Sequence, residues 1–289
     1  MNMSESDDRS WHPTRPDDGS PLLAFQRVLA LVVVAEYWTK TIRDRALFEP
    51  VDGLVLALVT VLTAAVLLGR FRRAAFAGLA LMQVWWIGRF FPLAGNHRYL
   101  ELILAVVFSA LNERSDEQRK LQLRAVRFMV VVVLFYSGLQ KLIWGYWTRG
   151  QFLAFALERG PFHAMLGRLV PTDELARLTS YSGAIGDGPY LADAPLLMAA
   201  SNLVWIAEIG LALLLLLPVT RHRAWPIACL LVVGIELVAR ELMFGVEFCA
   251  ALALFGRGDR LTRWVVPIGV FLGLLVLVRL GLLPEVVFH

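Results

Sequence analysis

Apolar residues run along this chain in long blocks, separated by short clusters of Arg, Asp, Gly and Pro. A bilayer core is about 30 Å thick, so a crossing helix needs roughly 20 mainly apolar residues. Blocks of this kind fall near 22–39, 51–69, 74–92, 97–111, 126–143, 196–217, 225–242, 244–255 and 264–283. The fourth and eighth are short, as half-helices or tilted pieces inside a bundle are. The pattern predicts an all-α fold, a polytopic helical membrane bundle with about 8–9 transmembrane helices.

Residues 1–20 break the pattern, being polar, charged and proline-containing. They lack the basic start and short apolar core of a cleaved leader, and are expected to form a disordered cytoplasmic tail. The connection over about 144–195 is far longer than the others. It holds Gly183, Gly186, Asp187, Gly188 and Pro189 and an amphipathic stretch around 152–157. Connections of that length are usually functional lids or irregular binding elements. No internal repeat is visible, so an inverted-repeat transporter is not indicated. Residues 21–289 are expected to form a single transmembrane domain.

Composition agrees with the pattern. The chain is 58% hydrophobic and 18% charged, against roughly 45–50% apolar for soluble domains. The net charge of +4 needs no nucleic-acid partner, because basic loops facing anionic lipid account for it. Those loops alternate. The connections after the second, fourth, sixth and eighth blocks are the more basic, most densely at Arg114, Arg119, Lys120, Arg124 and Arg127. The positive-inside bias then predicts an inner (plasma) membrane protein with its N-terminus cytoplasmic and its C-terminus outside. Cys229 and Cys249 both lie in apolar blocks without metal-ligand spacing, and read as packing residues rather than a disulfide or ligand pair.

Several ionisable residues interrupt the apolar blocks: Arg27, Glu36, Arg89, Glu101, Lys141, Glu208, Glu236, Arg240, Glu241 and Glu247. Charges at such positions face the bundle interior and tend to pair. Spacing of i,i+4 predicts Glu36–Lys40 and Glu236–Arg240 ion pairs. His97 and Glu101 also lie one turn apart, behind Asn96, a good helix N-cap. That pair has the spacing of a metal half-site, although spacing supplies no third ligand. Lys141 ends the apolar run from Phe128 to Leu139 and precedes Trp144, Tyr146 and Trp147. Two readings of it stand. One is a snorkelling anchor at the interface; the other is a desolvated lysine able to act as a general base. The predicted topology places Lys141 and His97 on the same, outer side.

At these residues the chain resembles the HTTM (horizontally transferred transmembrane) family, whose best-known member is the membrane domain of vitamin K-dependent γ-glutamyl carboxylase. The family's Asn-His-x-Tyr-Leu motif reads Asn96-His97-Arg98-Tyr99-Leu100. Its Gly-x-x-Lys-Leu segment followed by Trp-x-x-Gly reads Gly138-Leu139-Gln140-Lys141-Leu142 and Trp147-Thr148-Arg149-Gly150. The opening helix with Phe25 and Arg27, Glu208 after the long connection, and Phe244-Gly245-Val246-Glu247-Phe248 also look like their family counterparts. The similarity runs in consistent order over 22–255.

The resemblance implies a quinol-directed oxidation on the outer membrane face. In the family the lysine matching Lys141 deprotonates reduced vitamin K, which then reacts with oxygen, and the histidine matching His97 supports it. By that likeness Lys141 is the base, with His97 and Asn96 orienting it. Tyr99, Trp144, Trp147 and Glu101 would surround a reduced quinone, menaquinone or vitamin K-like. There are departures. Nothing corresponds to the large lumenal portion that holds the carboxylase's protein substrate, and the stretch from Leu142 to Trp147 is one residue longer and lacks acidic residues. Glu236 stands where the family commonly has histidine. The likeness therefore implies quinol chemistry rather than peptide γ-carboxylation. A second class of function stays open: a non-catalytic partner subunit or small-molecule permease, for which the buried Glu and Arg residues of the late helices speak.

Overall fold

A computed structural model of the chain describes residues 20–43, 50–91, 96–111, 115–157, 166–180, 192–239, 242–256 and 259–279. The polar tail, Arg240, Glu241, Arg257 and much of the long connection lie outside the described residues. Among the described residues there are eleven α-helices and no strand. In chain order they are α1 (Ser20–Arg43), α2 (Pro50–Leu67), α3 (Arg72–Phe90), α4 (Asn96–Ala110), α5 (Asp116–Trp144) and α6 (Gln151–Ala156). After these come α7 (Thr172–Thr179), α8 (Pro195–Leu216), α9 (Arg221–Ala239), α10 (Leu242–Ala253) and α11 (Asp259–Arg279).

Each apolar block falls on one of these helices over its described residues. Four of them, α1, α2, α5 and α8, are long and apolar enough to cross a membrane. The surfaces of α2, α5 and α8 agree with that reading, while α1 is largely buried within the protein. Leu54 and Val61 on α2, Phe128 and Tyr136 on α5, and Leu203 and Ile206 on α8 are all exposed. Rows of bare apolar side chains suit hydrocarbon and would be a liability in water. Helix α5 starts at Asp116, ten residues ahead of its apolar block. The added turns (Asp116-Glu117-Gln118-Arg119-Lys120) are polar but helix-favouring, with two acids at the positive end of the helix dipole. Hydropathy marks the membrane part of such a helix and misses its polar extension.

The chain divides into two compact units, residues 1–129 with 246–288 and residues 130–245. In the first unit, α1 packs against α2 and α11, α2 against α3, and α3 against α4. Phe25, Phe76 and Phe108 form its aromatic centre, with ring centroids 6.1 and 5.1 Å apart. Thr63 donates to the Ala30 carbonyl at 3.2 Å and ties α2 to α1. Two arginines close helix ends here. Arg73 donates to the carbonyls of Ser109 and Ala110 at the end of α4, and Arg127 donates to Leu254 O just after α10. Cations suit the negative end of a helix dipole. These arginines therefore have a structural task besides any effect on sidedness.

In the second unit, α8 packs against α9 and α6. The described parts of the long connection carry two short helices, α6 and α7, between turns, and residues 181–191, with their glycines, lie outside the described residues. Leu153, Leu157, Val170, Leu178 and Leu197 make a small core of their own. Gly150 enters α6 at φ 66°, and its missing side chain leaves room for Met198 and Ala192. Glu174 on α7 accepts the N–H groups of Asp193 and Ala194 at 2.7 and 3.2 Å, capping the start of α8.

The packing gives a first expectation. Phe108→Ala removes a buried ring between two others and should cost about 3–5 kcal/mol. Phe128→Ala, at a side chain 62% exposed, should stay within about 0.5 kcal/mol of wild type. Denaturant unfolding in detergent micelles measures both.

Candidate functional site

Two buried ionic sites stand out, one in each unit. The second unit's site begins with a glycine. A Cβ on Gly138 would meet the Trp205 backbone oxygen at 2.9 Å, Ile209 Cγ1 at 2.7 Å and Glu208 Cβ at 3.1 Å. Helices α5 and α8 thus touch backbone to backbone at this point, as small residues allow within membranes. One turn on, the close approach brings Lys141 onto Glu208. The Lys141 Nζ donates to Glu208 Oε1 at 2.7 Å, Glu208 Oε2 at 2.8 Å and Ser137 Oγ at 2.7 Å. All three ammonium donors have partners. Ser137 donates in turn to Glu208 Oε1 at 3.2 Å.

Beyond Lys141 the chain turns at Gly145, φ 72°, and folds back. Trp147 then lies 5.1 Å from the Lys141 ammonium and stacks on Phe152, centroids 4.7 Å apart and 18° between planes. Ser201 Oγ holds the Trp147 carbonyl at 2.6 Å. Trp144 is 69% exposed and Tyr146 partly so.

The first unit's site is built on α1, α3 and α4. Arg98 is buried and bridges two carboxylates: Nη2 meets Glu36 Oε2 at 2.6 Å, and Nη1 meets Glu101 Oε2 at 3.1 Å. Gln83 donates to the same Glu101 oxygen. His97 Nε2 lies 3.4 Å from Glu36 Oε2. The Arg98 guanidinium also covers Tyr37 and Trp86, 5.3 and 4.9 Å from their centroids. Tyr37 itself donates to Met82 O at 2.6 Å. Glu36 thus takes as its partner an arginine from α4. Lys40, which i,i+4 spacing offered to Glu36, sits over the Trp86 and Phe90 rings at 4.7 and 3.6 Å.

The expected site residues therefore separate by unit. Lys141, Trp144 and Trp147 belong to the second, and Trp147 joins Lys141 there. His97, Tyr99 and Glu101 belong to the first, where His97 and Glu101 join Glu36. Tyr99 is exposed. Asn96 is the first residue of α4, and its side chain lies outside the described residues. Sequence reading passed over Ser137, Gln83, Tyr37 and the bridging role of Arg98. Two of these had a local signal, Ser137 in its i,i+4 spacing to Lys141 and Arg98 in its i,i+3 spacing to Glu101.

The second site can hold and move a proton. Across 2.7 Å, Nζ can pass a proton to Glu208, leaving an amine with a free lone pair. The first site can hold charge, since its carboxylates outnumber its arginine. No family model matches the chain, and neither a curated protein nor a solved structure does. What the fold defines is an all-α protein with four helices long and apolar enough to cross a membrane and two buried ionic centres.

Removing one partner of a buried ion pair costs about 3–5 kcal/mol. Glu208→Gln should lose that much, and Lys141→Met with Glu208→Met should recover most of it. Gly138→Val should destabilise by about 1–3 kcal/mol through overpacking. Gly210→Ala, with open space around the glycine, should be neutral or slightly stabilising. Unfolding of the four variants in one detergent reads the series.

Proposed function

We propose that this chain is an HTTM-like protein of the inner (plasma) membrane that carries out quinol- or lipid-directed oxidation, with Lys141 as its base. The observation that carries the proposal is the clamp on Lys141. A snorkelling lysine extends its ammonium into water or headgroups. This one is turned onto a buried carboxylate and a hydroxyl, and its side chain is only 17% exposed. Such a geometry supports proton chemistry over anchoring.

The residues present fit a reduced quinone. Trp147 stacked on Phe152 offers a flat aromatic wall, and the Lys141–Glu208 pair offers a proton acceptor 5.1 Å from it. A reduced menaquinone or vitamin K-like ring would supply an acidic hydroxyl and, with oxygen, the oxidising chemistry. Glu208 first takes a proton from Nζ. The free amine then accepts the hydroxyl proton, and Ser137 holds Nζ in place through both steps. Nine crossing helices with the N-terminus cytoplasmic and the C-terminus outside complete the reading, supported by the loop arginines.

Purified protein supplied with reduced menaquinone and oxygen should form epoxide or quinone. Lys141→Ala should lower the rate by about 10²–10⁴-fold. Lys141→Arg should do the same, because a guanidinium keeps its proton. Equal product from wild type and Lys141→Ala would overturn the proposal. A permease or partner subunit gives the opposite pattern, with Lys141→Ala spared and Glu236→Gln inactive. For topology, a reporter active only in the cytoplasm and fused after His289 should stay dark; a strong signal would contradict the nine-span arrangement.

A further inference from the structure

The first unit gathers more negative charge than its arginine balances. Glu36 on α1 and His97 and Glu101 on α4 each offer a ligand atom, and these atoms all lie within 4.8 Å of one another. Glu101 is fully buried, and its Oε1 has no hydrogen-bond partner among the described residues. Glu247 on α10 is 1% exposed, and among the described residues neither of its carboxylate oxygens has one. It lies within electrostatic reach of Glu101, Glu36 and Arg98. Among the described residues three buried carboxylates thus share one guanidinium, and ionising all three needs protons or a further cation to offset them. Isolated buried charges of one sign are strongly disfavoured unless something compensates them. One divalent cation closes the balance in a single step.

We infer that Glu36, His97 and Glu101, backed by Glu247, form a binding site for one divalent cation of the zinc or manganese class. The donor set decides the class. One imidazole among carboxylates suits Zn²⁺ or Mn²⁺ better than Ca²⁺ or Mg²⁺, which take oxygen ligands. Arg98 does not fill the site. It holds Oε2 of both Glu36 and Glu101, and Gln83 holds Oε2 of Glu101 again. That orients the two carboxylates as outer-shell partners orient metal ligands. With bonds of about 2.1 Å, tetrahedral donors lie about 3.4 Å apart. Closing from 4.8 Å to that spacing asks for about 1.4 Å, shared between two side chains and within reach of their rotation. Spacing along α4 showed only the His97 and Glu101 half; the third ligand comes from a helix some sixty residues earlier. The site makes no use of Lys141, so its test is independent of the quinol chemistry.

The test uses the full chain, tag removed, in lipid nanodiscs. The protein is stripped with chelator and titrated with Zn²⁺ alone or Mn²⁺ alone, and bound metal is quantified by mass spectrometry. One equivalent is expected, with a higher melting temperature when metal is restored. His97→Gln and Glu101→Gln should each weaken binding by at least about 10–100-fold. His222→Ala, at an exposed histidine on α9, should leave stoichiometry unchanged. Should either ligand variant fail to fold, X-ray absorption on the wild-type complex decides, and one imidazole nitrogen among oxygen donors is expected. Wild type that takes up no cation overturns the inference. So does undiminished binding by His97→Gln, or a metal shell without imidazole.

Discussion

The backbone contact between α5 and α8 at Gly138 is the constraint on which the second unit depends. Inside a bilayer, helices gain little from burying apolar side chains, because lipid is as apolar as leucine. Close packing and polar pairing hold them instead, and Gly138 permits both. It lets the backbones meet, and one turn later Lys141 and Glu208 close across the same seam. A charge that would cost roughly 2.5–3.5 kcal/mol alone in hydrocarbon becomes part of the joint. The Gly-x-x-Lys spacing is thus one mechanical unit, with the glycine setting the distance and the lysine using it.

The first unit solves the same problem with different parts. Arg98 reaches two carboxylates at once, on α1 and on its own helix, and lies over Trp86. In both units the cation has a carboxylate from another helix and a tryptophan face within about 5 Å. The planar fork of arginine bridges carboxylates, whereas the point charge of lysine sits inside one. The difference has a chemical side. A guanidinium keeps its proton and serves to organise charge. An ammonium clamped on a carboxylate has a proton to exchange.

How much of this was legible in the sequence follows from range. The apolar runs disclosed the helices because a crossing helix is a local, composition-driven object. The beginning of α5 escaped because Asp116 to Lys120 is helical without being apolar. Helices α6 and α7 lay hidden in a segment whose glycines and prolines suggested irregular chain. Ionic residues inside the blocks were visible as anomalies, and Lys141 and Glu101 emerged from them directly. Their partners were not. The i,i+4 rule offered Lys40 to Glu36, and tertiary packing gave it Arg98. Sixty-seven positions separate Lys141 from Glu208, and no local rule spans that distance.

The cap that Glu174 places on α8 has a consequence for biosynthesis. The chain emerges from its N-terminus, so Glu174 is made twenty positions before the Ala194 N–H it accepts. The acceptor for the first turn of α8 is thus waiting before the helix starts. Each residue of an α-helix turns about 100° and rises 1.5 Å. A start displaced by one residue would carry Glu208 roughly a quarter-turn around the axis, off the line to Lys141. In the folded chain the small α7 segment therefore serves as a register mark, tying the start of a helix whose working residue lies about 21 Å further along.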